Sequence, residues 1–326
     1  MIPISLNTWL IPQLHIPDGF LSLAVSLFFW LIAIIFIAIA ARKVQQDFDD
    51  RRTPLMGILA AFIFAAQMLN FPIAGGTSGH LLGGALAAIL LGPWAAILVM
   101  AAVIGAQALL FQDGGFLAMG ANIFNMGILT ALIGFGLYRG ALRGAKRFKL
   151  IIAAIAAWLS VMAGALSTSL QLWLSGTASL QVVMPAMLGV HAFIGVGEAL
   201  ITVGALAFIF KTRPDLLSAG EVRGRGGRGW IAAGGIITLL TVLLAPLASA
   251  NPDGLERVAE KLGFINAGRG APYQIFPDYT IPLLGETPLS TILAGAIGAL
   301  AAGVIVVLAM RLLRQRPDQS LSAGDQ

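Results

Sequence analysis

The stretch Phe20–Ala41, FLSLAVSLFFWLIAIIFIAIAA, carries no charge over 22 residues and is closed at once by Arg42-Lys43. An α-helix needs about 20 apolar residues to cross the ~30 Å hydrocarbon core of a bilayer, and inside that core every backbone N–H and C=O must be satisfied within the segment. Phe20–Ala41 is therefore read as a membrane-crossing helix. Working outward, the same pattern predicts further spans over 54–69, 80–92, 94–111, 117–138, 150–173, 183–210, 230–248 and 288–310, about nine in all. Hydrophobic residues make up 58% of the 326-residue chain and charged residues 11%. The fold class this predicts is an all-α polytopic membrane protein.

The charges orient the bundle. Arg42, Lys43, Arg51 and Arg52 follow the first span, and Arg139, Arg143, Lys146, Arg147 and Lys149 follow the fifth. Lys211, Arg213, Arg223, Arg225 and Arg228 follow the seventh, and Arg311, Arg314 and Arg316 close the last. Basic loops stay on the cytoplasmic side, so the expectation is an external N-terminus and a cytoplasmic C-terminus. The net charge of +5 is accounted for by these clusters, and no nucleic-acid partner is expected. One loop fits no lipid-facing helix: Asn70 to Gly79 is too rich in Gly, Pro and polar residues, and must be buried in protein or wet.

The chain has no cysteine and three histidines, His15, His80 and His191. Absence of thiolate removes disulfides, iron–sulfur clusters and thiolate zinc sites, so a transition metal bound here would see nitrogen or oxygen. His15 lies in Leu14-His15-Ile16-Pro17-Asp18-Gly19-Phe20, and His80 ends the run Gly75-Gly76-Thr77-Ser78-Gly79-His80. The predicted topology brings both to the external side, where they can meet. Gly75, Gly76 and Gly79 allow backbone conformations closed to other residues, which suits a loop that folds into the protein.

These two segments resemble the signatures of the CbiM/NikM family, the substrate-binding components of energy-coupling factor transporters for cobalt and nickel. The likeness continues through Gln112-Asp113-Gly114-Gly115, Gly120-Ala121-Asn122, Asn125-Met126-Gly127 and His191 to Glu198. Further on, Asn251-Pro252-Asp253-Gly254-Leu255-Glu256 is similar to the PDGLE segment of the small CbiN/NikN partner subunit, here fused behind the first module. The division expected from this is 14–212 for the metal-binding membrane domain and 213–229 for a basic cytoplasmic linker. Residues 230–312 then form the PDGLE module, two membrane helices around an external loop 249–287, followed by a cytoplasmic tail 313–326.

The resemblance implies a square-planar nitrogen site for Ni(II) or Co(II). Its donors are the free N-terminal amine, the backbone nitrogen and side chain of a histidine in second place, and the histidine of the Gly-rich loop. In this chain those histidines are His15 and His80. Planar nitrogen ligation favours Ni(II) or Cu(II) over tetrahedral Zn(II), and excludes the oxygen-seeking Ca(II) and Mg(II). The chain departs from the family pattern at Leu14, which thirteen residues precede and which stands where the family has its initiator Met. An internal Leu14 has no amine, so the expectation is that translation starts at 14, at a Leu-type codon read as Met, with 1–13 a start-site extension. The alternative is that Met1–Gln13 is genuine or clipped; it lacks the basic start and small-residue cleavage site of a signal peptide.

Other residues carry plainer expectations. His191 and Glu198, seven apart, share a face of one helix and are expected to pair or to brace the ligands from behind. Asn122 and Asn125 are expected either to orient the Gly-rich loop or to bond between helices. His80 is weighed as a helix cap against its role as ligand, Asp18 is expected to cap the first helix, and Met100, Met119 and Met126 are expected in the packing. Leu255, Val258, Ala259 and Leu262 repeat at helical spacing between Asp253 and Gly263, predicting a short amphipathic external helix. Gly295, Ala299 and Gly303 recur every four residues, giving a face for close helix packing.

No G-x-x-x-x-G-K-[ST] occurs, so the chain itself does not hydrolyse ATP. The reading is of a metal-capture protein with no catalytic residue and no intrinsic cofactor. The resemblance implies that a transmembrane coupling subunit and ABC-type ATPase subunits supply the energy, in the plasma membrane of a prokaryote, for cobalamin biosynthesis or nickel enzymes. The competing class is a secondary permease or channel, against which stand the scarcity of intramembrane charge and the absence of an evident inverted repeat. A membrane metalloenzyme is disfavoured because no H-E-x-x-H is present.

Overall fold

A computed structural model describes residues 15–47, 52–212 and 229–314. In chain order the elements are α1 (Leu23–Asp47), α2 (Thr53–Gln67), a hairpin of β1 (Phe71–Ile73) and β2 (Thr77–Gly79), α3 (Gly84–Leu91), α4 (Pro93–Ala106), α5 (Met119–Asn122) and α6 (Thr130–Tyr138). They continue with α7 (Lys146–Leu174), α8 (Leu180–Thr212), α9 (Gly229–Leu244), α10 (Gly254–Leu262) and α11 (Pro288–Arg314). Two wide helical turns, Gln107–Phe111 and Ile123–Leu129, extend α4 and join α5 to α6. The expected extension 1–13, Leu14, most of the linker 213–229 and most of the tail 313–326 lie outside the described residues.

Six of the expected spans are long and apolar enough to cross a bilayer: Leu23–Gln46, Pro93–Phe111, Met119–Ala141, Lys146–Leu174, Leu180–Thr212 and Pro288–Arg314. Thr53–Gln67 and Ile231–Leu247 are shorter apolar helices. The third expected span is corrected outright. Its helix, α3, has only 8 residues, about 12 Å at 1.5 Å per residue, well short of the ~30 Å core. Residues 80–83 run as irregular backbone and the Gly92-Pro93 reversal ends the helix, so α3 stops inside the protein. All eight of its residues are buried, enclosed by α4, α6 and α7.

Leu27, Phe28, Leu31, Ile34 and Ile35 of α1 are exposed while Ala33 and Ala40 are buried. For a membrane helix this marks the lipid-facing stripe, with small residues turned to the bundle. The small-residue face of α11 finds its partner in α2, within the N-terminal module. A Cβ on Gly303 would lie 3.0 Å from the Gly57 carbonyl oxygen, and one on Gly57 would meet Val307. The two backbones thus approach as closely as missing side chains permit. Gly303→Leu is expected to cost about 1–3 kcal/mol through overpacking, read as a lower unfolding temperature in detergent, whereas Leu300→Ala, at a 68% exposed position, should leave it nearly unchanged.

Candidate metal site

His15 and Ile16 run as irregular backbone at 2% and 3% exposure, so their polar groups need partners. Asn122, at the end of α5, supplies two: its Oδ1 accepts from Ile16 N (3.1 Å) and its Nδ2 donates to Ile16 O (3.1 Å). Gly115 N donates to the same carbonyl at 3.0 Å. Gly114 has φ +92°, and a Cβ there would lie 2.9 Å from His15 Cβ and 3.0 Å from Asn122 Nδ2. Only glycine fits the turn that closes over the histidine. The role of Asp18 is corrected. It accepts from Ala118 N at 3.0 Å, while its carbonyl accepts from Arg269 N at 2.7 Å. Helix α1 begins later, at Leu23, and Ser22 Oγ accepts from Val25 N. Asp18 sits too far upstream to cap it.

His80 follows the hairpin, whose register pairs Phe71 with Gly79 and Ile73 with Thr77 around the Gly75-Gly76 turn. It caps no helix: Gly83 is the N-cap residue of α3, and the anion at that N-terminus comes from α8. Glu198 Oε2 accepts from Leu82 N (2.6 Å) and Oε1 from Gly83 N (2.9 Å), while Gln67 Nε2 donates to Leu82 O (2.8 Å). A buried carboxylate is favoured there because the first N–H groups of a helix are unpaired and carry positive partial charge. It fixes the loop two residues beyond His80.

The expected His191–Glu198 pair does not form. His191 Nδ1 lies 2.8 Å from Met187 O, one turn back on its own helix, and Glu198 is occupied by α3; each finds a nearer partner than the other. Asn125 bonds to Thr168, Gln171 and Ser167 of α7, and Asn122 holds the His15 segment, so neither asparagine orients the Gly-rich loop directly. Met100 and Met119 are buried packing residues, and Met126 lines the cavity described next.

The structure brings His15 and His80 together, with ring centroids 5.6 Å apart and planes at 65°. A cavity of about 60 Å³ is lined by both rings together with His191, Asn122, Asp253 and Gly254. Pockets for organic ligands are typically about 300–1,000 Å³, so this one suits a small ion. Among the described residues no three His, Cys, Asp or Glu side chains form a group able to hold a metal.

The C-terminal module closes the cavity. Ser78 N donates to Pro252 O (2.9 Å) and Ser78 Oγ to Asn251 O (2.8 Å), tying the PDGLE segment to β2 beside His80. Asp253 Oδ1 accepts from Glu256 N at 2.7 Å as the N-cap of α10, and Gly263 ends that helix. The amphipathic helix expected there is present, with Leu255, Val258 and Ala259 buried. Burial pushes the Asp253 carboxyl well above its ordinary pKa, offset in part by the Glu256 N–H. A larger outer cavity of about 440 Å³, lined by Asp253, Glu256, Glu260 and Asp278, shares Asp253 with the inner one.

Asp113 and Tyr279 are the residues that sequence reasoning passed over. Asp113 Oδ1 is 3.0 Å from His15 Nδ1, and Tyr279 donates to Asp113 Oδ2 at 2.5 Å. Burial raises the Asp113 pKa, but the charge and hydrogen bond of His15, the Tyr279 hydroxyl and the charge of His80 together hold it below the usual carboxylate value. Asp113 was visible in the Gln112-Asp113-Gly114-Gly115 motif but carried no assigned role. Tyr279 left no local signal.

A family model described as the cobalt uptake substrate-specific transmembrane region, CbiM, matches residues 15–216, and one for the PDGLE domain matches 228–315. The chain belongs to the CbiM family. The fused nickel transport protein NikMN of Rhodobacter capsulatus is similar to this CbiM chain at 29% identity over 346 residues, covering 93% of this chain and 99% of that one. The cobalt transport protein CbiM of Geobacter sulfurreducens is 30% identical over 310 residues, 89% and 88% of the two chains. A crystal structure of a transition metal transporter superposes with TM-score 0.55 at 36% identity, covering 61% of this chain and 93% of that one. This CbiM protein is a multi-pass membrane transport protein, not an enzyme.

Substitutions at Glu198 test how the His80 loop is held. Glu198→Leu leaves two buried N–H groups unpaired, at about 1–3 kcal/mol each, and should lower the unfolding temperature sharply. Glu198→Gln keeps one acceptor and should lose roughly half as much, by the same thermal assay.

Proposed function

We propose that this protein captures Ni(II) or Co(II) on the external face of a prokaryotic plasma membrane, as the substrate-binding component of an ATP-driven importer. The observation that carries the reading is the meeting of His15 and His80 over one small cavity. With metal–nitrogen bonds of about 2.0–2.1 Å, two imidazoles on one ion have centroids roughly 4.5 Å apart when cis and 6.3 Å when trans. The planar set puts the two rings cis, so the 5.6 Å found here requires them to close by about 1 Å on the ion. Two imidazoles need two further nitrogens for a planar set, and the amine and backbone nitrogen of a chain beginning at position 14 would supply them. Such a chelate includes the backbone nitrogen of His15 and closes through Nδ1, so metal binding exchanges Asp113 for the ion at that atom.

The other assignments follow from this one. The N-terminus and the PDGLE loop are external, the basic loops and the C-terminus cytoplasmic, in keeping with the positive-inside bias. Residues 14–212 bind the metal and 230–312 form the PDGLE module, joined by the basic linker. Asn122, Glu198, His191 and Asn125 brace the ligands or line the site. Energy comes from a transmembrane coupling subunit and ABC-type ATPase subunits, because the chain carries no nucleotide-binding loop.

Nickel titration of the purified protein, with its N-terminus sequenced, tests the reading. His15→Ala and His80→Ala should each weaken binding by more than tenfold. Affinity should also fall as pH drops from about 8 to 6, because an amine of pKa about 7.7–8 and the imidazoles must shed protons to bind. Binding unchanged in both histidine variants would refute it. In vesicles holding this chain alone, gradient-driven metal flux at full rate would refute the importer assignment.

A further inference from the structure

We propose that Tyr279, in the loop before α11, is a positioning residue for metal capture: through Asp113 it orients the His15 imidazole. The proposal rests on the reading of His15 as a metal donor.

A chain of close polar contacts links the two modules. Gln107 Nε2 donates to the Tyr279 hydroxyl (3.2 Å), which donates to Asp113 Oδ2 (2.5 Å), whose Oδ1 faces His15 Nδ1 (3.0 Å). Every member is buried, at 0% for Gln107, 7% for Tyr279, 4% for Asp113 and 2% for His15, so water does not compete with these bonds. The hydroxyl turns Asp113 so that its Oδ1 stands against His15 Nδ1. Both ring nitrogens of His15 are buried, and neither makes a hydrogen bond of regular geometry among the described residues. Asp113 thus holds, before the ion arrives, the nitrogen that the ion then takes.

The backbone gives independent support. Among the described residues, the non-glycine residues with positive φ are Gln112 (55°), Asp278 (48°) and Tyr279 (53°). All three lie at this contact: Gln112 precedes Asp113, and Asp278-Tyr279 carry the hydroxyl to it. Such conformations are disfavoured for L-residues and persist where the surroundings over-determine them. Here the surroundings are aromatic. The Tyr279 ring stacks on Phe111 (4.9 Å, 19°), and Phe276 packs against the same Phe111 (5.6 Å) while its N–H donates to Leu110 O at 3.0 Å. Packing holds the ring, and the hydroxyl is what reaches Asp113. Removal of that one oxygen should therefore leave the ring packed and loosen the histidine. When the ion takes Nδ1, the same hydroxyl keeps the displaced carboxylate beside the incoming positive charge.

The test uses the full chain with ¹⁵N-labelled histidine, comparing wild type, Tyr279→Phe, Asp113→Asn, His15→Ala and the exposed loop control Tyr273→Phe. In the metal-free wild type the His15 ring nitrogens should report one fixed tautomer. Tyr279→Phe should convert this to a mixture, lower the unfolding temperature no more than Glu198→Gln does, and weaken Ni(II) binding severalfold because the donor is no longer preorganised. Asp113→Asn should match it, and the double variant should be no weaker than the weaker single variant. Tyr273→Phe should behave as wild type. An unchanged His15 signal, or unchanged or tighter nickel binding in Tyr279→Phe, overturns the proposal. The His15→Ala arm separates the two claims: if it binds nickel like wild type, the donor reading itself fails. If it loses binding while Tyr279→Phe does not, only the role of Tyr279 fails.

Discussion

Two pieces of non-helical backbone lie buried within a protein that is otherwise helical, and their polar groups must be satisfied without water. Much of the architecture around the site answers that constraint. Asn122 takes both the N–H and the C=O of Ile16. Glu198 takes the first N–H groups at the head of α3, and Gln67 takes the Leu82 carbonyl. The C-terminal module takes Ser78. These partners come from four separate parts of the chain, and each bond fixes backbone within three residues of His15 or His80. Satisfying the buried backbone and positioning the imidazoles are one and the same requirement.

The same arrangement explains why a helix as short as α3 is retained inside the bundle. It brings the positive end of a helix near a pair of histidines, and the Glu198 carboxyl answers it by accepting from Leu82 N and Gly83 N. The intramembrane carboxylate thereby acts on the site through structure rather than by ligation. The PDGLE module contributes from the opposite side. Asp253 and Gly254 line the histidine cavity, and α11 packs on α2 through glycine backbones. The fused module is thus built into the first one, and its loop forms part of the wall around the metal-binding candidates.

Much of this was legible in the sequence because it rests on local rules. Phe20–Ala41 announces a span by length and apolarity, and Asp253 with Gly263 announces α10 by its cap and stop. The small residues of α11 announce a close contact, though not its partner. The misreadings share a cause. The third span was read from an apolar run beginning at His80, but the first four residues of that run are non-helical and Gly92-Pro93 ends the helix after eight. Asp18 looked like a cap because α1 was expected to start at Phe20, five residues before the position Ser22 caps. His191 and Glu198 looked like a pair because they share a helical face, yet partners 116 residues away in sequence took the carboxylate. Asp113 and Tyr279 are separated by 166 residues, and no periodicity or motif links such positions in one chain.

The central claim is that the ion sits between the imidazoles of His15 and His80, beneath the PDGLE segment. Anomalous diffraction at the nickel edge, from crystals of the nickel-loaded full chain, tests it most directly. The account predicts one strong peak within bonding distance of both rings, walled on the outer side by Asp253 and Gly254. A peak among Asp253, Glu256, Glu260 and Asp278 in the outer cavity, with none between the two rings, would contradict it.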